Sequence, residues 1–456
     1  MMANILSVVL AAGKGTRMKS NMTKVLHQVG GKPMVEHILD TVEDLSSETI
    51  CIVGHQADRV KDELKDREVK FVTQSQQLGT GHAVSQARKY FKEHKGPVLI
   101  LCGDTPLLNR ETLQYMVEKH QEEGAGITIL TARLNDPAGY GRIIRNREGQ
   151  VEKIVEEEDA NEKERKIKEI NSGVYCFNGN LLAEALGTLT DDNAQGEYYL
   201  PDTLNYVRNQ NKKIIPVVIE NNREIIGIND RKDLAEAEKI LRTRINDYHM
   251  NRGITIIDPD NTYIDSTVRI GRDTVIYPYT FIERKTVIGS ETVIGPQCRL
   301  VNAKIGDETN LKSGCKIYDS EIGNRCNIGP FAYIRPGCRI ADEVKIGDYV
   351  ELKKAQVGSG SKVPHLSYVG DAEIGEGTNI GAGTIFANYD GEKKHKTTVG
   401  DKVFIGSNTT LVAPVEVKNR GKTGAGAVVT KNVQENTTVV GVPARKFTRD
   451  KNEEDH

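Results

Sequence analysis

Three stretches of the chain hold residues whose types and spacing suit phosphate chemistry. Leu10-Ala11-Ala12-Gly13-Lys14-Gly15-Thr16-Arg17-Met18 closes an apolar run, and Lys24 and Gly31-Lys32-Pro33 follow it. A glycine-rich loop after a buried strand lets backbone N–H groups approach phosphate oxygens. Arg17 and Lys24 add the positive charge that a transferring phosphoryl group needs. The loop is not a dinucleotide fingerprint, since Met18 stands where the third glycine belongs, and it lacks the Gly-Lys-Ser/Thr of a Walker loop. Cys102-Gly103-Asp104 ends a second apolar run, 98–101. A lone Asp after a strand is commonly a turn or cap, but at the carboxyl end of a central strand it can hold Mg²⁺ against phosphates. Gln74, Gly79 and Thr80 lie in a Gly-rich segment that reads as a nucleobase loop. Tyr140-Gly141-Arg142, Glu156, Asn171 and Asn229 are polar residues in or after strand-like segments, suited to sugar hydroxyls and, for Asn229, to the metal.

These residues must be placed by an α/β fold. Up to about residue 230, apolar runs at 5–10, 49–53, 98–101, 127–132 and 214–219 alternate with amphipathic stretches at 33–45, 81–90 and 110–122. That alternation predicts a largely parallel sheet, which binds ligands beyond the carboxyl ends of its strands. Residues 232–252 read as a linker helix with Leu234, Ala237, Leu241, Ile245 and Tyr248 on one stripe and Gly253 as its stop.

From Ile264 onward the pattern changes. An aliphatic residue returns every sixth position through Ile270, Ile276, Ile282, Ile288, Ile294 and Leu300, and the step resumes after small shifts as far as Val417. Neither helix nor strand has that period, whereas a parallel β-helix of hexapeptides does. Small residues (Thr274, Thr292, Cys298, Cys315, Cys326, Cys338) sit beside the aliphatic ones and should point inward. The rhythm breaks at 387–398, an insertion with Asn388, Tyr389 and the lysines 393, 394 and 396; insertions in a solenoid become loops, often on the binding face. The lysines by themselves read as a solvated tip.

With 456 residues the chain has room for two or three domains, and a net charge of −2 argues against a nucleic-acid-binding surface. The seven cysteines form no CxxC pair, so they read as reduced packing residues of a cytoplasmic protein. Neither a signal peptide nor a membrane span is expected. The tail after Phe447 is charged and suggests no role.

The Gly13–Lys24 loop and Gly-Asp-Thr-Pro-Leu at 103–107 resemble the signatures of sugar nucleotidyltransferases. Followed by hexapeptides, and with Asn193-Ala194-Gln195-Gly196-Glu197-Tyr198-Tyr199, Gly227-Ile228-Asn229-Asp230, Tyr333-Ile334-Arg335-Pro336-Gly337, Glu351-Leu352-Lys353-Lys354, His365-Leu366-Ser367-Tyr368 and Asn388-Tyr389-Asp390-Gly391, nearly the whole chain resembles one family. Its members are bacterial bifunctional enzymes that join N-acetylglucosamine-1-phosphate uridyltransferase and glucosamine-1-phosphate N-acetyltransferase activities.

The resemblance implies an α/β Rossmann-like nucleotidyltransferase domain (1–231), a linker helix (232–252) and a left-handed parallel β-helix of hexapeptide repeats (253–456). It implies a homotrimer that makes UDP-N-acetylglucosamine for peptidoglycan and other cell-envelope polysaccharides. On that reading UTP and sugar phosphate meet Leu10, Ala11, Ala12, Gly13, Lys24, Gln74, Gly79, Thr80, Asp104, Gly141, Glu156, Asn171 and Asn229, with Arg17 and Lys24 catalytic and Asp104 and Asn229 on Mg²⁺. In the β-helix His365 would take the amine proton, since an unperturbed His titrates near ~6.5. Arg335, Lys353, Tyr368 and Asn379 would bind glucosamine-1-phosphate, and Ala382, Asn388, Tyr389, Ser407 and Ala425 acetyl-CoA. Val442 stands where family members carry an Arg, which leaves Arg445 for the CoA phosphates. The alternative is a single-activity pyrophosphorylase with a structural β-helix, which would have no use for His365 or the insertion.

Overall fold

The computed structural model describes residues 4–447; the charged tail after Phe447 lies outside them. The chain divides into two compact units between Leu241 and Arg242, within the helix Arg231–Met250.

In the first unit the apolar runs become strands in the order Ile214–Ile219, Ile127–Arg133, Glu169–Asn178, Pro97–Cys102, Leu6–Ala11, Glu48–Val53, Lys70–Thr73. Side chains alternate across the sheet: Val9, Leu99 and Leu101 face the helices Met34–Glu43 and Arg110–Glu122. Val8, Val98 and Ile100 face Thr80–Ser85, Gly179–Ala185 and Thr203–Asn209. Both faces are therefore covered, and the central strands can be apolar throughout. Along this order the pairings are parallel except at Glu169–Asn178, which runs antiparallel to its neighbours and bulges between Asn171 and Tyr175; the hairpin Arg142–Arg145 with Val151–Val155 attaches beside it and is antiparallel too.

Two expectations need correction. The helix expected at 81–90 is two pieces, Thr80–Ser85 and Arg88–Phe91. Ser85 Oγ and Gln86 Nε2 both donate to the His82 carbonyl, at 2.7 and 3.1 Å, and such local bonds compete with the helical ladder. In Arg231–Met250 it is His249, not Tyr248, that continues the buried stripe; Tyr248 is exposed, its ring under the Arg252 guanidinium.

The second unit is a left-handed parallel β-helix whose coils each give one short strand to each of three sheets. Ile276, Ile294, Leu311, Ile328, Ile346 and Val363 stack in one inward ladder, all buried. The small inward positions do more than fit. Thr274, Thr292 and Thr309 donate their hydroxyls to Gly289, Gly306 and Gly323 carbonyls at 2.8–2.9 Å, and Cys326 Sγ donates to Ala341 O. A short side chain with one donor thus satisfies backbone acceptors in a core too narrow for water. All seven cysteines are free thiols.

Candidate functional site

In the first unit the strand Leu6–Ala11 lies parallel to Pro97–Cys102, which brings the two loops after them together. Gly103 N donates to Leu10 O at 2.9 Å, and a Cβ at Gly103 would also meet that oxygen. Gly15 has φ +63°, and a Cβ there would lie 2.5 Å from Lys24 Cβ. The glycine therefore lets Lys24 pass beneath the loop.

Lys24 Nζ forms an ion pair with Asp104 Oδ2 and lies 2.8 Å from Asn229 Oδ1. Arg17 donates to the same oxygen at 2.9 Å. The Asn229 amide cannot easily turn, because its Nδ2 donates to Gly227 O at 3.1 Å and its backbone N–H to Asp233 Oδ2 at 2.8 Å. One carboxylate and one amide oxygen thus converge on a cation. That donor set fits Mg²⁺, which is held by one or two protein oxygens plus substrate phosphates and water. Among the described residues no cluster of three His, Cys, Asp or Glu side chains could serve as a self-sufficient metal cage.

Two adjoining clefts share Leu10, Thr80, Cys102 and Asp104. The first, about 480 Å³, is lined by Ala12, Gly13, Gln74, Gln77, Gly79 and Glu197 among others. Gln74 Nε2 is turned to Gly79 O at 3.2 Å and His82 Nδ1 at 3.0 Å. Gly79 has φ +103°, and a Cβ there would meet Tyr198 O at 2.6 Å. Ala11 is the exception among the expected residues: it packs in the core and lines neither cleft.

The second cleft, about 320 Å³, is lined by Gly141, Glu156, Asn171, Tyr175 and Asn229. Asn171 N donates to Gly141 O at 2.8 Å, and Tyr175 Oη donates to Asn171 Oδ1 at 3.0 Å. Burial, then the nearby Glu158, Asp202 and Asp159 carboxylates, push the Glu156 carboxyl up to about 7, with Arg142 opposing. Arg142 is not a sugar ligand. It is wholly buried and its guanidinium pairs with Glu157 at 2.7 Å. Glu157 also accepts from Gly139 N at 3.1 Å, so the pair anchors the loop that carries Gly141. Gln77, Glu197 and Tyr175 line the clefts without standing out as ligands in the sequence; Glu197 alone carries a signal, its place in the Asn193–Tyr199 string.

In the second unit Lys353 and Tyr368 occupy successive coils of one sheet, where Lys353 pairs with Gly370 and Glu351 with Tyr368. Lys353 Nζ lies 3.8 Å from Asp371 Oδ2. Asn388 Nδ2 donates to that carboxylate and lies 3.5 Å from Tyr368 Oη. Gly370 leaves the room, since a Cβ there would meet Tyr368 Oη at 2.5 Å and Asn388 Nδ2 at 2.7 Å. The insertion also brings Lys394 to Lys353, whose ammonium lowers the Lys394 pKa. Asp371 and Lys394 are not among the residues to which the sequence points; Lys394 is exposed, as its loop composition suggests, but it stands beside Lys353. Arg335 is engaged by Glu351 at 2.9 Å.

His365 and Asn379 lie in the neighbouring sheet. His365 is half-exposed, and its Nδ1 is 2.5 Å from Asp348 Oδ1. Ala382, Ser407 and Ala425 follow one another up a single corner, joined by Asn408 N→Ala382 O at 2.7 Å and Gly426 N→Ser407 O at 2.8 Å. Tyr389 is exposed on the insertion, and Arg445 is exposed in the last short strand. A larger cleft of about 810 Å³ runs along the third sheet, lined by Lys304, Glu321 and Arg339. Lys304 and Arg339 both pair with Glu321 there.

Residues 7–191 match the model of the MobA-like NTP transferase domain, and residues 259–362 match the GMPPB C-terminal domain. Proteins with the name "Bifunctional protein GlmU" are similar over nearly the full length. That of Acetivibrio thermocellus is 49% identical over 94% of this chain and 93% of its own. That of Brevibacillus brevis is 48% identical over 96% and 95%, and that of a Geobacillus species 51% identical over 94% of each.

Proposed function

The chain belongs to the bifunctional GlmU family, and from that footing we propose how its two units divide the making of UDP-N-acetylglucosamine. The protein is both a glucosamine-1-phosphate N-acetyltransferase and a UDP-N-acetylglucosamine diphosphorylase. The single-activity alternative is not favoured. What supports the division of labour is the presence of Lys24–Asp104–Asn229 in one unit and, in the other, Lys353, Asp371, Asn388 and Tyr368 on one sheet with His365 on Asp348 in the neighbouring sheet.

In the second unit the amine of glucosamine-1-phosphate must lose a proton before it can attack the thioester of acetyl-CoA. His365 accepts that proton at Nε2, the N–C bond forms and the C–S bond breaks. Lys353, Arg335 and the inserted Lys394 hold the sugar phosphate, with Tyr368 and Asn379 on the sugar. CoA lies along Ala382, Ser407 and Ala425, with Asn388, Tyr389 and Arg445 as further contacts.

In the first unit the phosphate of N-acetylglucosamine-1-phosphate attacks the α-phosphorus of UTP, and pyrophosphate leaves. Both reactants are anions, so catalysis is charge neutralisation and alignment. Arg17 and Lys24 supply fixed positive charge. Gln74, Gly79 and Thr80, with Leu10, Ala12 and Gly13, hold the nucleotide; Gly141, Glu156 and Asn171 hold the sugar. Mg²⁺, held by Asp104 and Asn229, supplies further neutralisation of the phosphates when bound. The protein works in the cytoplasm as a homotrimer on this reading; no helix among the described residues is long and apolar enough to cross a membrane.

A coupled assay tests the whole scheme. Full-length protein with glucosamine-1-phosphate, acetyl-CoA, UTP and Mg²⁺ should release thiol and pyrophosphate in equal amounts. Thiol without pyrophosphate, or pyrophosphate only when N-acetylglucosamine-1-phosphate is supplied, would reduce it to one activity.

A further inference from the structure

We propose that Asp348 is the positioning residue for His365: it fixes the imidazole as the Nδ1–H tautomer and turns Nε2 outward for the substrate amine. This rests on the reading of His365 as the base. Three observations support it.

The first is reach. His365 Nδ1 lies 2.5 Å from Asp348 Oδ1, and an ionised carboxylate can only accept. The shared hydrogen therefore sits on Nδ1, and the lone pair sits on Nε2. The His365 hydrogen bond, followed by the bond from its own backbone, holds the Asp348 carboxyl below the ordinary carboxylate range, so it stays ionised at neutral pH.

The second is register. In this sheet most strands of the coil are two residues long, but Lys345–Asp348 and Lys362–His365 are each four. The extension pairs Asp348 with His365 beyond the usual Ile346–Val363 rung. Gly347 permits it, because a Cβ there would lie 1.6 Å from Pro364 O.

The third is rigidity. Leu366 N donates to Asp348 O at 2.9 Å, and Ser367 Oγ donates to His365 O at 2.8 Å, so the backbones that carry both side chains are tied across the coil. Lys312 is the other charged group that acts on the Asp348 carboxylate. When Nε2 takes the amine proton, the resulting imidazolium faces a carboxylate that stabilises it, and the proton can then pass to the departing thiolate.

The test compares full-length wild type, Asp348→Ala, Asp348→Asn and His365→Ala. Both Asp348 variants should lower kcat for acetyl transfer about 10- to 100-fold, part of the ~10²–10⁴-fold that a placed base contributes. KM for both substrates should stay within about twofold and the melting temperature within about 2 °C. In protein labelled with ¹⁵N-histidine, the His365 signal, assigned by its loss in His365→Ala, should show a protonated Nδ1 in wild type and a shift toward protonated Nε2 in Asp348→Ala. A wild-type Nε2–H tautomer, or an unchanged kcat in both Asp348 variants while His365→Ala is inactive, would overturn the proposal. An active His365→Ala would instead remove the reading on which it rests.

Discussion

The Lys24 ammonium lies 2.8 Å from the Asn229 side-chain oxygen, although the two residues belong to opposite ends of the first unit's sequence. With Asp104 on its other side, Lys24 stands on the two oxygens that would hold a divalent ion. Substrate phosphates would have to draw the ammonium away before those two oxygens could take a metal. Asp104→Asn keeps the shape and removes the charge. Uridylyl transfer should fall about 10²–10³-fold, the scale of losing one preorganised electrostatic contact. Acetyl transfer should not change. Parallel assays of pyrophosphate and thiol release check both halves, and a loss of both activities in a folded variant would contradict the separation of sites.

Glu156 predicts a pH dependence of stability. Its carboxyl has an ordinary pKa of 4.5 and is pushed up to about 7 by burial and by neighbouring carboxylates. Between those values the folded state holds a proton that the unfolded chain has shed. Stability is therefore intact below about 4.5 and is lost as pH rises toward 7. Glu156→Gln removes that loss. It should stabilise the first unit by roughly 1–3 kcal/mol at pH 8, since each tenfold difference in proton affinity between folded and unfolded chain is worth ~1.4 kcal/mol, and by almost nothing at pH 4.5. Thermal unfolding of the full chain, followed at the transition that UTP raises, measures the difference.

Arg142 is a buried cation paired with the Glu157 carboxylate. Arg142→Ala would leave the Tyr140 and Arg165 carbonyls without their donor, and a buried acceptor left unsatisfied costs about 1–3 kcal/mol. Arg142→Lys should not rescue it, since a single ammonium cannot reproduce the guanidinium contacts to Tyr140 O, Arg165 O and Glu157. Urea unfolding gives the stability, and KM for N-acetylglucosamine-1-phosphate should rise in both variants because the Gly139–Gly141 loop loses its anchor.

Much of this arrangement could be read from residue order, for physical reasons that differ by region. The six-residue period reports one inward position per face of the coil, so the aliphatic ladder from Ile276 to Val363 was legible. The central strands were legible because burial on both faces makes them uniformly apolar. The antiparallel course of Glu169–Asn178 was not, because its apolar pattern is the same in either direction. The broken helix at Ser85–Arg88 was also hidden, since the side-chain bonds to the His82 carbonyl compete with a favourable amphipathic pattern. Lys394 looked like any lysine on a polar loop; only the fold brings it against Lys353. Asp348 was invisible for a related reason. The coils stack Ile294 on Leu311 but Ile276 on Ile294, and this drift in coil length must be known before Asp348 can be placed beneath His365.

Gly347 gives the last prediction. A Cβ at this position would fall 1.6 Å from Pro364 O, and backbone on both sides leaves no flexible side chain to yield. Gly347→Ala must push the strand Lys362–His365 away from Lys345–Asp348 or shift its register. The outer rung, Asp348 with His365, opens first, because the Ile346–Val363 rung is held by the buried ladder. Acetyl transfer should therefore fall by up to the ~10²-fold that a displacement of about 1 Å can cost. Uridylyl transfer should be unaffected. A full-length Gly347→Ala protein that released thiol at the wild-type rate would show that the glycine is not needed to bring these two strands together.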